Sequence, residues 1–141
     1  MNQDMKTLGF DLIIEQLKAN AVSAAASEIL AETAPILNES ICRNRMAETT
    51  EARKVLEISG NPPLAIMNGL EEAVTQASQG GMLQPEQLTE TARFMGTVRR
   101  LKRYLQNAET GSPMIASWQT ELPSMEETAE SIERAIREDE I

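Results

Sequence analysis

Apolar residues recur every three or four positions along nearly the whole chain, and most glycines and prolines occur where this periodicity is interrupted. Phe10, Ile13, Ile14 and Leu17 show the pattern, because their spacing of i, i+3, i+4 and i+7 places them on one side of a helix. Alternation typical of a strand never persists for more than a few residues. The sequence therefore predicts an all-α fold of about six or seven helices, without a sheet, in a single domain covering residues 1–141.

Turn and cap residues set the predicted helix boundaries. Thr7 and Asn38 are predicted N-caps of the first and third helices, and Ser124 with Glu127 has the spacing of a capping box before the last helix. Gly80 and Gly81 are expected to end the fourth helix. The predicted helices cover about residues 9–19, 23–33, 38–59, 69–79, 85–106 and 114–122, and a last helix starts at 124.

Two apolar stripes are predicted to pack against neighbouring helices. The stripe of the third helix consists of Cys42, Met46, Thr49, Ala52 and Leu56. The stripe of the long fifth helix consists of Phe94, Val98, Leu101 and Leu105. Trp118 is interpreted as a core or interface anchor, because the chain has few other aromatic residues to form a base-stacking platform.

Several kinds of catalytic and metal site are not supported by the residues present. The chain has no histidine and one cysteine, Cys42, so a cysteine–histidine nucleophile cannot form and an inert thiol is expected. The glycine-rich phosphate-binding patterns are absent, and the acidic clusters lack the spacing of an EF-hand. We therefore predict no catalytic, cofactor-binding or metal-binding residue in this chain. The chain also lacks an apolar run long enough for a membrane span and a secretory signal, so a cytoplasmic location is expected.

A basic cluster is the clearest candidate for a binding site. Five of the thirteen lysines and arginines lie between residues 93 and 103 of a chain whose net charge is −9. The helical wheel places Arg93, Arg99, Arg100 and Arg103 away from the apolar stripe, where guanidinium groups could contact the phosphates of a nucleic acid. The alternative interpretation is a solvated face whose arginines pair with glutamates of neighbouring helices.

The order of four sequence blocks resembles the start of a known family. The blocks are residues 7–17 (TLGFDLIIEQL), residues 48–52 (ETTEA), residues 80–88 followed by 99–102, and residues 132–140. In this order they are similar to the N-terminal region of the second bacterial MutS family, the MutS paralogues that end in an Smr nuclease domain. The resemblance spans nearly the whole chain, although none of the blocks is specific alone.

The resemblance implies an α-helical start of the core and lever region, with a structural and coupling role in a longer protein. That parent would be an ATP-dependent clamp, would use ATP and Mg²⁺, and would bind branched DNA or stalled ribosomes. It would act as a homodimer and an endonuclease in recombination control or ribosome rescue. Its ATP site and its nuclease would lie outside these 141 residues. The alternative is a free-standing helical protein-interaction module whose apolar stripes dock a partner helix.

Overall fold

The computed structural model describes residue 6, residues 8–108 and residues 111–139, with side chains described as far as residue 137. The predicted N-cap Thr7 lies outside the described residues, as do Glu140 and Ile141 at the end of the chain.

Over residues 8–108 and 111–139 the regular structure consists of seven α-helices and one short 3₁₀ helix, without a strand. The predicted all-α fold is therefore confirmed. The α-helices are α1 (Phe10–Ala19), α2 (Ala24–Ala31), α3 (Glu39–Ser59), α4 (Leu70–Ser78), α5 (Pro85–Asn107), α6 (Pro113–Ser117) and α7 (Glu126–Asp139). The 3₁₀ helix, Trp118–Glu121, continues directly from α6.

Side-chain caps fix the start of two helices, and the sequence predicts the one at Asn38. The Ser23 hydroxyl accepts the amide of Ala26 at 3.1 Å, and the Asn38 side-chain oxygen accepts the amide of Ile41 at 3.1 Å. The predicted cap at Ser124 is wrong by one residue. The amide of Ala129 donates to the carbonyl of Met125 at 2.9 Å, so Met125 is the N-cap of α7.

The chain forms two compact units, Met1–Arg43 and Asn44–Ile141. In the first unit α1 packs against α2, and Ile14 is the buried residue of α1. In the second unit α5 packs against α7 and also against α6 and the 3₁₀ helix. The prediction of a single domain covering residues 1–141 remains a prediction.

The core of the second unit forms where the C-terminal parts of α3 and α5 meet α6. Its buried residues are Val55, Leu105, Ala108, Ile115 and Ala116. Ala52, Leu101, Tyr104 and Leu122 are partly buried against them. Most of these side chains are small or of medium size, which agrees with a chain in which 3% of residues are aromatic.

The buried side of α3 differs from the predicted stripe. Met46 is 65% exposed and Leu56 is 46% exposed, whereas Val55 is only 5% exposed. Trp118 is likewise 46% exposed and is therefore not a core residue. Periodicity identifies apolar sides of a helix, but the neighbouring helices determine which side is covered.

Glu51 joins α3 to α6 over a long sequence separation. Its Oε2 atom accepts the backbone amides of Met114 at 2.8 Å and Ile115 at 3.1 Å, and the Ser112 hydroxyl donates to its carbonyl at 3.4 Å. These amides lie in the first turn of α6, where no carbonyl of the same helix is available to accept them. A carboxylate on α3 therefore caps a helix that begins more than sixty residues later in the chain.

Candidate nucleic-acid interface

Helix α5 carries the basic cluster and is the longest helix of the chain's described part, with 23 residues. Pro85 occupies its first turn, where a missing amide proton costs nothing, and the backbone amide of Gln84 donates to the Gln87 side chain at 2.8 Å. At 1.5 Å per residue the helix extends about 34 Å. Because α7 contacts one side and α6 with the 3₁₀ helix contacts another, the arginines are presented from a supported element.

Three of the four predicted arginines share one solvent-exposed side of α5. At 100° per residue, positions 93, 100 and 103 fall within about 80° of one another on a helical wheel. Arg99 lies about 40° beyond Arg103, towards the side that packs against α7. All four side chains are exposed. We call Arg93, Arg100 and Arg103 the basic face.

Arg99 makes an ion pair with the neighbouring helix. Its Nη1 atom lies 3.9 Å from Glu126 Oε1 of α7, and both side chains remain more than half exposed. An exposed pair at this distance contributes little to stability, about 0–1 kcal/mol. It nevertheless places a carboxylate beside Arg99. The alternative interpretation of the basic cluster predicts this arrangement, in which an arginine pairs with a glutamate of a neighbouring helix.

Arg100 is held by a hydrogen bond within α5. Its Nη2 atom donates to the Thr97 hydroxyl at 2.7 Å, and that hydroxyl donates to the carbonyl of Arg93 at 3.2 Å. Thr97 is only 4% exposed, so this hydrogen bond holds the guanidinium group of Arg100 close to the helix. A guanidinium group has five N–H donors, and this bond uses one of them.

Arg93 lies between two cavities of the second unit. The larger, of about 490 Å³, is lined by residues of α5 and by Ala135 and Ile136 of α7. The smaller, of about 110 Å³, is lined by residues 65–68, Glu90, Arg93 and Phe94. Glu90 lines both cavities with Arg93, so its carboxylate reduces the positive potential at this end of the basic face.

Lys102 has a structural contact that the sequence analysis did not predict. Its Nζ atom donates to the carbonyl of Leu122 at 3.0 Å, where the chain leaves the 3₁₀ helix. Neither the spacing nor the residue types around Lys102 distinguish it from its basic neighbours. The structure therefore separates the five basic residues into Lys102, Arg99 beside Glu126, and the three arginines of the basic face.

Two further features of the described residues bear on possible functions. No group of three or more cysteine, aspartate or glutamate side chains in this part of the chain is arranged to hold a metal ion. None of the helices described here combines the length and apolar character that crossing a membrane requires.

Comparison with known proteins supports the resemblance to the second bacterial MutS family. The chain is 31% identical over 145 residues to the endonuclease MutS2 of Clostridium beijerinckii, a match that covers 100% of the chain and 18% of that relative. The chain is homologous to part of the MutS2 endonucleases. The MutS2 endonuclease of Symbiobacterium thermophilum is 31% identical over 95% of the chain, and that of Clostridium botulinum is 29% identical over 99%.

The chain spans about 17–18% of the length of these MutS2 relatives. No protein-family model and no solved structure matches it. The matches to the MutS2 relatives confirm the predicted resemblance to that family.

Proposed function

We propose that this chain forms a helical supporting region of a MutS2-type protein, and that its basic face contributes sequence-independent contacts to the phosphates of a nucleic acid. The relatives are named as endonucleases, enzymes whose substrates are nucleic acids, and the homology covers the whole chain. The observation that carries the proposal is the exposure of Arg93, Arg100 and Arg103 on one side of a helix that is supported on two other sides.

The remaining activities of a MutS2-type protein are proposed to belong to other regions. We infer that ATP with Mg²⁺ and the nuclease centre act outside these 141 residues, and that this region couples to them structurally. The target is branched DNA or the RNA of a ribosome, since phosphate contacts alone do not distinguish the two. We expect the purified chain neither to hydrolyse ATP nor to cleave DNA. Turnover that persisted at constant specific activity through further purification would contradict this.

A salt titration of binding tests the nucleic-acid role. The chain should bind a labelled four-way DNA junction and a structured RNA weakly, because its net charge of −9 opposes the approach of a polyanion. The double variant Arg100→Gln/Arg103→Gln should bind more weakly, and the slope of log K against log salt should fall by about 2, as expected for two lost phosphate contacts. Fluorescence anisotropy measured across a range of salt concentrations provides both quantities.

The matched control is Arg43→Gln/Arg137→Gln, which makes the same change in net charge. These arginines pair with Glu39 at 2.7 Å and Glu133 at 3.4 Å, and neither of them belongs to α5. If the two double variants lowered the affinity and the slope equally, net charge rather than the basic face would control binding. An unchanged slope in the Arg100/Arg103 variant would exclude the proposed role.

A further inference from the structure

Thr97 holds one arginine of the basic face without neutralising its charge. Its side chain lies in the middle of α5 and is buried. The Thr97 hydroxyl donates to the carbonyl of Arg93 at 3.2 Å and accepts a hydrogen bond from Arg100 Nη2 at 2.7 Å. One buried hydroxyl therefore connects the backbone of one arginine of the basic face to the guanidinium group of another.

Other arginines of the chain are held by carboxylates instead. Five arginines make ion pairs with glutamates, namely Arg43, Arg45, Arg53, Arg99 and Arg137. Within the part of the chain that the structure describes, no carboxylate oxygen lies at ion-pair distance from Arg100. A carboxylate reduces the positive potential that a phosphate group meets, whereas a hydroxyl carries no net charge. Arg100 is thus restrained while its positive charge remains unopposed.

The buried Thr97 hydroxyl does not need Arg100 as a hydrogen-bond partner. A threonine hydroxyl in a helix can donate to the carbonyl four residues earlier, and Thr97 makes this bond. Thr91 of the same helix makes it as well, to the carbonyl of Gln87 at 2.7 Å, and among the described residues no arginine donates to it. Because Thr97 is satisfied by the backbone, the effect of its contact with Arg100 is to place the guanidinium group.

Gly96 locates the other end of the same guanidinium group. A Cβ atom added at Gly96 would lie 3.7 Å from Arg100 Nη1. Both Nη atoms therefore lie beside the preceding turn of α5, and the Arg100 side chain bends back towards the N-terminus of the helix, in the direction of Arg93. The Arg100 side chain is exposed, and four of its five N–H donors are not used by Thr97.

We infer that Thr97 is a positioning residue of the nucleic-acid interface, whose hydroxyl fixes the Arg100 guanidinium group in advance for contact with a phosphate. This inference rests on the proposed function of the basic face. An unrestrained arginine side chain loses rotamer freedom when it binds a phosphate, and this loss weakens binding. Because Thr97 already restricts Arg100 in the free protein, less entropy is lost on binding. The corresponding gain in affinity is about two- to tenfold.

Removal of the hydroxyl tests the positioning role. Thr97→Val keeps a branched side chain of similar shape and should lower the affinity for a labelled four-way DNA junction by about two- to tenfold. The slope of log K against log salt should stay unchanged, because Arg100 keeps its charge and still contacts the phosphate. Arg100→Gln should instead reduce the slope by about 1. Fluorescence anisotropy across a range of salt concentrations measures both quantities.

Three comparisons separate positioning from a general effect on α5. Thr97→Ser retains the hydroxyl and should keep the affinity within about twofold, although loss of the buried methyl group lowers the free energy of unfolding. Thr91→Val removes a hydroxyl with the same bond to the backbone of α5 and should leave the affinity unchanged. In the Arg100→Gln background, Thr97→Val should have no further effect, because the group that it positions is absent.

Several results would overturn the positioning role. These are an unchanged affinity or a reduced slope in Thr97→Val, equal losses in Thr97→Val and Thr91→Val, and an undiminished effect of Thr97→Val in the Arg100→Gln background. An unchanged slope in Arg100→Gln/Arg103→Gln would refute the proposed function and this inference with it. A reduced slope in that variant, without any effect of Thr97→Val, would refute the positioning role alone. If Thr97→Val lost the native circular dichroism spectrum, Thr97→Ala, which also lacks the hydroxyl, would take its place.

Discussion

Removal of the Glu51 carboxylate should destabilise the second unit more than its position on a helix surface suggests. Glu51→Ala leaves the amides of Met114 and Ile115 without their acceptor, and Ile115 is only 4% exposed. Leaving a buried amide unpaired costs about 1–3 kcal/mol. Because Met114 is half-buried and water can reach its amide in part, we expect Glu51→Ala to lower the free energy of unfolding by about 2–4 kcal/mol. Glu51→Gln keeps an acceptor of the same shape and should cost about 1 kcal/mol.

Urea unfolding followed by circular dichroism measures these differences. Glu57→Ala is the matched control on the same helix, because Glu57 makes an exposed pair with Arg53 and its loss should change the free energy of unfolding by less than about 0.5 kcal/mol. Hydrogen exchange provides a local readout, since the amides of Met114 and Ile115 should exchange faster in Glu51→Ala. If Glu51→Ala and Glu57→Ala had equal effects, or if these amides kept their protection, the capping role would be refuted.

Two further predictions concern the same core. Leu105→Ala should lower the free energy of unfolding by about 2–5 kcal/mol, because Leu105 is 7% exposed. Leu101→Ala should lower it by less, because Leu101 is only partly buried. If urea unfolding gave the reverse order, the packing of this core would be contradicted. Partial burial raises the pKa of Tyr104 above 10.0, so the folded state favours the neutral phenol. The resulting contribution to the free energy of unfolding is present below pH 10 and is lost as the pH rises towards the pKa of the folded state. Tyr104 is the single tyrosine of the chain, so absorbance at 295 nm reports its titration directly, and a midpoint at or below 10 would disprove the shift.

The sequence predicts helix starts well where one side chain and one nearby amide decide them. Asn38 caps α3 as predicted, by accepting the amide of Ile41 three residues later, and such short-range geometry is encoded locally. Ser23 caps α2 in the same way, by accepting the amide of Ala26, although the sequence predicted only the approximate start of that helix. Gly80 adopts φ +77° after α4, as expected for the end of a helix. The last helix starts one residue later than predicted, since Ser124 and Glu127 have the spacing of a capping box without forming one.

Which side of each helix is buried could not be read from the sequence to the same extent. On α3 the apolar residues allow more than one stripe, and contact with α5 and α6 selects Ala52 and Val55 rather than Met46 and Leu56. The capping role of Glu51 could not be predicted from the sequence, because its partners lie sixty-three and sixty-four positions away. No local pattern can encode such a contact.

The basic cluster shows the same division between local and long-range information. The wheel places Arg93, Arg99, Arg100 and Arg103 away from the apolar stripe, and all four side chains are exposed, since this depends mainly on helical geometry. The carboxylate beside Arg99 and the carbonyl bound by Lys102 come from residues 126 and 122, and only the tertiary structure brings them to α5.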